Sequence, residues 1–172
     1  VPGGKSIYFQ KHMTLHLMDH IDRRWMENVV NCFLIRDPAE VIASYAAKRD
    51  KVTAADVGFE AQLEIFRHVE KCAGKIPVVL DARDVLKHPD NMLQKLCAAV
   101  GVEFDEDMLS WPAGRRDSDG IWGVHWYGAV ENSTGFAPYK PSDPGLDSDQ
   151  SELAAKCRPF YDELYHHRIQ PS

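Results

Sequence analysis

The feature that most constrains this chain is the apolar run Val29–Ile35, which ends abruptly on Arg36. A run of this kind is typical of a strand buried on both faces of a parallel sheet. Asp37 can then cap a helix, and Pro38 fits the first turn of that helix because no N–H donor is needed there. The segment therefore predicts a strand leading directly into a helix, which we expect to reach about Arg49.

The alternation of strand and helix continues along the chain. Apolar periodicity and stop residues predict the strands Ser6–His12 and Ile76–Ala82, and helices over 14–29 with Thr14 as N-cap, over 58–73, over 89–101 and over 151–169. This order predicts one α/β domain over residues 1–172, with a mainly parallel sheet flanked by helices. Within it we distinguish an α/β body (1–111), an irregular region (112–150) and a C-terminal helix (151–172).

Composition limits the possible partners. The 20 Lys and Arg against 26 Asp and Glu give a net charge of −6, so no global field attracts nucleic acid or an anionic membrane. No apolar run approaches the ~20 residues of a membrane span, and no signal peptide is recognisable. The four cysteines lack CxxC spacing, which favours reduced, packed thiols. We expect a cytoplasmic protein without nucleic-acid or membrane partners, in which any anion site is local.

Arg36 is the first candidate for such a local site. It stands where a parallel strand ends, the edge at which ligands bind in α/β sheets, and just before a helix N-terminus. Ser44 follows two turns along that helix, about 11 Å at 1.5 Å per residue. The two side chains can therefore hold one phosphate. The alternative is a surface ion pair of Arg36 with Asp37 or Glu40, with Ser44 as a small packing residue.

Three segments in succession resemble the sulfotransferases that use 3′-phosphoadenosine 5′-phosphosulfate (PAPS). "FLIRDPAEVIASY" looks like their 3′-phosphate-binding segment, in which a strand ends on arginine and a serine follows eight residues later. "FQKHMTLHLM" is similar to the strand that ends in their catalytic histidine, and "VVLDARDVLKHPDNMLQKLCAAVGVEFDEDML" to a late strand, turn and helix. The order and spacing match over about residues 6–109.

This resemblance implies a fold, a reaction and residue roles. The fold would be a three-layer α/β/α arrangement like that of P-loop NTPases, incomplete at its N-terminus because the phosphosulfate loop is missing. The reaction would move a sulfuryl group from PAPS to a hydroxyl or amine of a small acceptor, without a metal. His12 would be the general base, Lys11 would offset charge on the moving group, and Arg36 and Ser44 would bind the 3′-phosphate.

Several departures from the family pattern keep other functions open. "GGKS" at Gly3–Ser6 looks like the end of a P-loop but leads into a predicted strand, so we regard it as a decoy. Ala82 replaces a tyrosine that often contacts adenine. The late glycine-rich cofactor segment is not recognisable, although Arg115 and Arg116 can supply phosphate contacts instead. The alternatives are a non-catalytic relative that binds a nucleotide or a partner, and a P-loop kinase, for which no Mg²⁺-binding Asp pair is visible.

Two further clusters have alternative interpretations. His12, His16 and His20 would share one helix face at the spacing of paired zinc ligands. His12 precedes the predicted helix, however, and no nearby cysteine or glutamate completes a ligand set, so we expect no metal. A second cluster can wall an acceptor pocket or form the mini-core of a loop; it comprises Trp111, Trp122, Trp126 and Tyr127.

The connection between the first two predicted strands has a geometric consequence. A helix joining Ser6–Lys11 to Val29–Ile35 would make them parallel neighbours, with their carboxyl ends on one edge of the sheet. His12 and Arg36 would then border the same crevice, which Ser44 would also face. If a first strand is missing, the sheet should also expose an unpaired edge or an apolar groove.

Overall fold

The computed structural model describes residues 4, 6–17, 20–116, 128–141 and 143–172. In these ranges the strands are β1 (Cys32–Ile35) and β2 (Val78–Asp81), and the α-helices are α1 (Pro38–Ala46), α2 (Ala54–Val57), α3 (Phe59–Ala73), α4 (Ala82–Lys87), α5 (Pro89–Val100), α6 (Gly128–Glu131) and α7 (Ser148–His166). Short 3₁₀-helices cover Thr14–His16, Arg24–Asn28 and Glu106–Leu109. Among the described residues no helix is both long and apolar enough to cross a bilayer.

The two strands form an open parallel sheet flanked by helices, which confirms the α/β class. Phe33 pairs with Val79 and Leu34 with Leu80, so the strands are in register along their whole length. The chain returns from β1 to β2 through α1, α2 and α3, the helical crossover that a parallel pair requires. The carboxyl ends of β1 and β2 therefore lie at one edge of the sheet.

The junction between β1 and α1 follows the local signals of the sequence. Asp37 Oδ1 accepts a hydrogen bond from the Ala39 N–H at 2.9 Å, and Pro38 occupies the first helical position. Both predictions for this helix start are confirmed. The helix ends at Ala46, three residues before the predicted Arg49.

The main core lies between the sheet and the helices on one of its faces. Phe33, Ile35 and Val79 point into it, where Phe66 of α3 meets Phe33 edge-on with ring centroids 5.4 Å apart. Helix α7 covers the same core and packs against α1 and α3. Its buried residues in this cluster are Cys157, Tyr161 and Leu164.

The second face of the sheet is covered only in part, contrary to the prediction that β1 is buried on both faces. Leu80 is buried, and α5 contacts β2. Leu34, which pairs with Leu80 from β1, is 61% exposed, and Cys32 on the same face of β1 is also exposed. No strand in the described part of the chain pairs with the outer edge of β1. The prediction of an unpaired edge is confirmed.

The N-terminal segment differs most from prediction. Residues 6–13 form no strand, and the apolar side chains of Ile7, Tyr8 and Phe9 are exposed, because no strand lies beside them. The predicted helix over 14–29 is replaced, where described, by the 3₁₀-helices Thr14–His16 and Arg24–Asn28. The Asp22 carboxylate binds both the backbone N–H and the guanidinium of Arg24, a local bond that competes with a continuous helix.

The C-terminal segment closes the opposite side of the sheet. Helix α7 begins at Ser148, three residues before the predicted start, because Asp147 and Gln150 form a capping box there. The helix continues through Pro159 to His166. Beyond it the chain runs beside β2, where Arg168 bridges to Val79 in parallel and the Ile169 N–H donates to the Val79 carbonyl at 2.9 Å.

The four cysteines are all free, but they are not all packed. Cys97 and Cys157 are buried as expected, whereas Cys32 and Cys72 are exposed. Cys32 is exposed because its face of β1 lacks a covering helix in the described residues. The prediction of packed thiols is therefore wrong for two of the four positions.

Candidate functional site

Arg36 lies at the carboxyl edge of the sheet, directly after β1. Its Nε donates to Glu40 Oε2 at 2.8 Å, and its side chain is 48% exposed. This is the ion pair considered as the alternative to a phosphate contact. Because the pair uses only Nε, the two terminal nitrogens of the guanidinium have no protein partner among the described residues. They can still bind an anion.

Glu40 is held at both carboxylate oxygens. Oε2 accepts from Arg36, and Oε1 accepts from the Tyr139 hydroxyl at 3.2 Å. The Lys87 ammonium lies 5.2 Å from the centre of the Tyr139 ring. Withdrawal from water, together with the Glu40 charge, raises the pKa of Tyr139, which therefore stays protonated and donates this bond. Three separate segments thus meet at the end of β1.

The carboxyl end of β2 carries a buried carboxylate. Asp81 is 1% exposed, caps α4 by accepting the Arg83 N–H at 2.9 Å, and accepts the Tyr161 hydroxyl at 2.7 Å. Burial and this bond raise the pKa of Tyr161. The Arg83 guanidinium donates to the Tyr165 hydroxyl at 3.1 Å. Arg83 Nε also lies 3.9 Å from Asp81 Oδ1, so the buried carboxylate has hydrogen-bond donors and one cation close to it.

The N-terminus of α1 offers less to an anion than the sequence indicated. Pro38 has no N–H, and the Ala39 N–H already binds the Asp37 carboxylate. That carboxylate also accepts from Arg158 of α7 at 2.9 Å. An anion at this edge would therefore depend on the Arg36 side chain more than on the backbone amides.

Ser44 is exposed on α1, so it is not a core packing residue. Glu40 and Ser44 are four residues apart within α1, so their side chains lie along one side of that helix, whereas Arg36 precedes its N-cap. Whether the Ser44 hydroxyl shares a ligand with Arg36 stays a prediction.

His12 lies in a separate groove of ≈ 490 Å³ that also contains His16 and the apolar residues Leu17 and Ile21. Its ring is 5.3 Å from that of Trp25 and bonds to the Gln10 side chain at 3.0 Å. Lys11 beside it is exposed. Because residues 6–11 form no strand, the predicted route that brings His12 to Arg36 through neighbouring strands is wrong. The roles of His12 and Lys11 stay predictions.

Arg115 and Arg116 lie in the loop region, where both are exposed. Arg116 borders an open groove of ≈ 760 Å³ with Asp107 and Trp111. The Trp111 ring packs edge-on against Phe136 at 5.4 Å, so it belongs to a loop mini-core. The other three aromatic residues of that predicted cluster, Trp122, Trp126 and Tyr127, lie outside the described residues. No contact in the described part of the chain joins either arginine to Arg36.

The histidine cluster, which the sequence analysis set aside as a metal site, gains no support as one in the described part of the chain. Among the described residues, no group of three or more His, Cys, Asp or Glu side chains is placed to hold a metal ion. His12 instead packs against Trp25.

Sequence reasoning missed most of the residues around Arg36. Glu40 was visible as a charge four residues after Arg36, but only as a competing partner. Tyr139 is 99 residues from Glu40 in the sequence, so no local pattern could connect them. Lys87 could not be connected to this site from the sequence either, because it ends α4, a helix that was not predicted.

The chain was compared with known protein families, curated proteins and solved structures. The profile of the sulfotransferase domain family matches residues 3–168, nearly the whole chain, and the chain belongs to that family. Two relatives from Arabidopsis thaliana are similar over 96% of the chain: branched-chain-amino-acid aminotransferase-like protein 2, at 26% identity, and protein 1, at 27%. The chain spans only 29% of the length of either relative. No solved structure matches significantly.

Proposed function

We propose that this chain is a PAPS-dependent sulfotransferase domain that transfers a sulfuryl group to a hydroxyl or amine of a small acceptor. The observation that carries the proposal is Arg36, at the carboxyl end of β1 in a chain that matches the sulfotransferase family throughout. We further propose that the sheet belongs to a three-layer fold like that of P-loop NTPases, with β1 and β2 as two of its strands.

The residues at the carboxyl edge fit a phosphate group. The terminal nitrogens of Arg36 form a planar fork that matches two phosphate oxygens, and half of this side chain is accessible to solvent. Ser44 is exposed two turns further along and can donate a hydroxyl to the same group. In this proposal Arg115 and Arg116 supply further phosphate contacts from the loop region.

The reaction assigns distinct tasks to the residues of the chain. The acceptor oxygen or nitrogen forms a bond to the sulfur of PAPS while the S–O bond to the 5′-phosphate breaks, and 3′-phosphoadenosine 5′-phosphate leaves. Arg36 and Ser44 hold the 3′-phosphate and so fix the position of the donor. His12 accepts the proton of the acceptor hydroxyl or amine at a ring nitrogen, and Lys11 offsets negative charge that develops on the transferring group. The groove beside His12, with Trp25 and Leu17 in its wall, receives the acceptor.

The names of the two relatives do not alter this proposal. "Aminotransferase-like" describes proteins more than three times as long as this chain, since the chain spans 29% of each. The family that matches the chain itself is the sulfotransferase domain. A transaminase reaction is therefore not proposed for these residues.

Two substitutions in the complete protein test the proposal. Arg36→Ala should weaken binding of 3′-phosphoadenosine 5′-phosphate by about 1.5–3 kcal/mol, the usual range for a hydrogen bond to a charged group. His12→Ala should lower turnover by roughly 10²–10⁴-fold, the usual contribution of a general base, with little change in nucleotide affinity. Isothermal calorimetry and a sulfuryl-transfer assay measure the two effects separately.

His68→Ala is the control, because His68 lies on α3, outside the groove that contains His12, and contacts Cys72 at 3.8 Å. Equal nucleotide affinity in wild type and Arg36→Ala would remove the phosphate site. Full transfer activity in His12→Ala would exclude His12 as the base.

A further inference from the structure

We infer that Glu40 is a positioning residue for Arg36, held in place by Tyr139, and that the two together preform the phosphate site at the end of β1. This inference rests on the proposed function, because it concerns how the same arginine is prepared for its ligand. It assigns a role to Tyr139, which the sequence pattern did not single out, and a new one to Glu40, which the pattern gave only as a competing ion-pair partner.

The Glu40 carboxylate is fixed by hydrogen bonds at both of its oxygens. Its two oxygens have different partners, Arg36 Nε at 2.8 Å and the Tyr139 hydroxyl at 3.2 Å. A carboxylate bonded at both oxygens has little freedom to rotate. The side chain of Glu40 is only 23% exposed, half the exposed fraction of Arg36, so its position is set by the protein.

Glu40 binds only one of the three guanidinium nitrogens of Arg36, the Nε. A carboxylate that replaced the ligand would be expected to bind the guanidinium in the bidentate manner, which is the strongest available geometry. Glu40 instead takes Nε, at the inner side of the group. The two terminal nitrogens, which form the other side of the fork, are left for a bidentate phosphate.

The charges near Glu40 are also compensated. A negative group close to a phosphate site opposes binding, so a role in binding requires nearby cations. Lys87 lies 5.2 Å from the centre of the Tyr139 ring, and the charges of Arg83 and Asp37 both act on Tyr139. Asp37 has its own partner, Arg158, at 2.9 Å. Besides Arg36 itself, two cations therefore lie near the Tyr139–Glu40 pair.

The consequence is a reduced ordering cost on binding. A free arginine must lose side-chain freedom when it binds phosphate, whereas Arg36 has already lost part of it. Tyr139 belongs to the segment after α6 and not to α1, so the position of Arg36 also depends on where that segment packs. The site is therefore completed by packing of the loop region on the carboxyl edge.

Calorimetric titration of the complete protein with 3′-phosphoadenosine 5′-phosphate tests the inference. Glu40→Ala should weaken affinity about three- to tenfold, in line with the ordering cost of one side chain. Glu40→Gln should restore affinity to within about twofold, because the amide can accept from Arg36 and donate to Tyr139. Tyr139→Phe, which keeps the ring on Lys87, should give an intermediate loss.

A double-substitution cycle shows whether the effect passes through Arg36. In an Arg36→Ala background, Glu40→Ala should have no further effect on affinity. Glu152→Ala is the matched control, because Glu152 forms the same i, i+4 type of pair with Lys156 at 2.7 Å, on α7. It should leave affinity unchanged.

The outcomes separate this inference from the proposed function. If Arg36→Ala leaves affinity unchanged, the phosphate site itself is wrong. If Arg36→Ala weakens binding but Glu40→Ala leaves it unchanged or strengthens it, only the positioning role is wrong, and strengthening would identify Glu40 as a competing counter-ion. An equal loss from Glu40→Ala in both backgrounds would also overturn the role.

Discussion

Asp81 shows how single residues at the functional edge serve stability as well as position. Its carboxylate is buried, yet each oxygen has a donor: Arg83 N–H on Oδ1 and the Tyr161 hydroxyl on Oδ2. A buried charge without such partners would be strongly destabilising. The bond from Tyr161 therefore links α7 to the end of β2.

Removing that hydroxyl should be costly. Tyr161→Phe should lower the free energy of unfolding by about 1–3 kcal/mol, because one oxygen of a buried carboxylate loses its donor. Urea unfolding measures this. Tyr165→Phe is the control: its hydroxyl binds Arg83, whose side chain is 37% exposed and can bond to water instead. Equal losses in the two variants would contradict the assignment.

The same hydroxyl makes stability depend on alkaline pH. The pKa of Tyr161 is raised in the folded protein by burial and by its bond to Asp81, above the unfolded value of about 10. Its contribution is therefore complete below pH ~10 and is lost as the pH rises from there through the folded pKa. Unfolding measured above pH ~10 should show a steeper decline in wild type than in Tyr161→Phe.

At the scale of elements, the start of α3 is the point where the N-terminal segment meets the body of the domain. Gly58 precedes this helix with φ +66°, and a Cβ there would meet the Thr14 hydroxyl. Gly74 ends the same helix with φ +63°, and a Cβ there would meet nothing within 4 Å. The two glycines have matching backbone conformations and different surroundings.

This pair gives a matched experiment. Gly74→Ala should cost about 1–2 kcal/mol, the strain of a left-handed alanine alone. Gly58→Ala should cost more, because Thr14 must also move. Adding Thr14→Ala to Gly58→Ala should recover much of the difference in thermal unfolding. If the two single variants are equally destabilised, the segment around Thr14 does not rest on α3.

The elements that were predictable are those fixed by neighbouring residues. Asp37 and Pro38 define the start of α1, and Gly74 and Gly101 end α3 and α5 in the left-handed conformation. The N-terminal helix was mispredicted because apolar spacing does not register the competing hydrogen bonds that Asp22 accepts from Arg24. The predicted strand before it failed for a different reason, since a strand needs a partner that no local pattern supplies.

The residues of the candidate site likewise fall into two groups, those predictable from their neighbours in the sequence and those that only the fold brings together. Arg36 could be found because a strand, a charge and a helix cap are adjacent in the sequence. Tyr139 could not, because its contact with Glu40 joins residues that only the fold brings together. Asp81 was predicted only as part of the strand Ile76–Ala82, because its bond to Tyr161 of α7 joins residues far apart in the chain.

At the scale of the whole molecule, the sheet is asymmetric. The side of β2 away from β1 is occupied by Ile169, whereas no strand among the described residues pairs with the outer edge of β1. The Leu34 carbonyl accepts a hydrogen bond from the Gln62 side chain at 3.0 Å. Exposed apolar residues, including Leu34 and Val30, lie on or beside this open strand. An edge of this kind favours pairing with another chain.

The isolated 172-residue chain should therefore self-associate. Leu34→Lys should shift it toward monomer in sedimentation velocity, because a charge on an edge strand opposes pairing. Val130→Lys is the control, since Val130 is 57% exposed against 61% for Leu34 but lies outside the sheet. Stability should change little in either variant. Equal association in wild type and Leu34→Lys would show that the edge is not the contact.

Arg168 and Ile169 lie along β2 and form the border of the sheet on that side, with the Ile169 N–H bonded to the Val79 carbonyl. Among the described residues, the strand edge that stays open is therefore that of β1. A fusion partner attached after Ser172 would begin beside this border, where Asn91 and Lys95 of α5 hold the tail. The opposite flank, next to Leu34, is where a reporter or cross-linker would detect assembly.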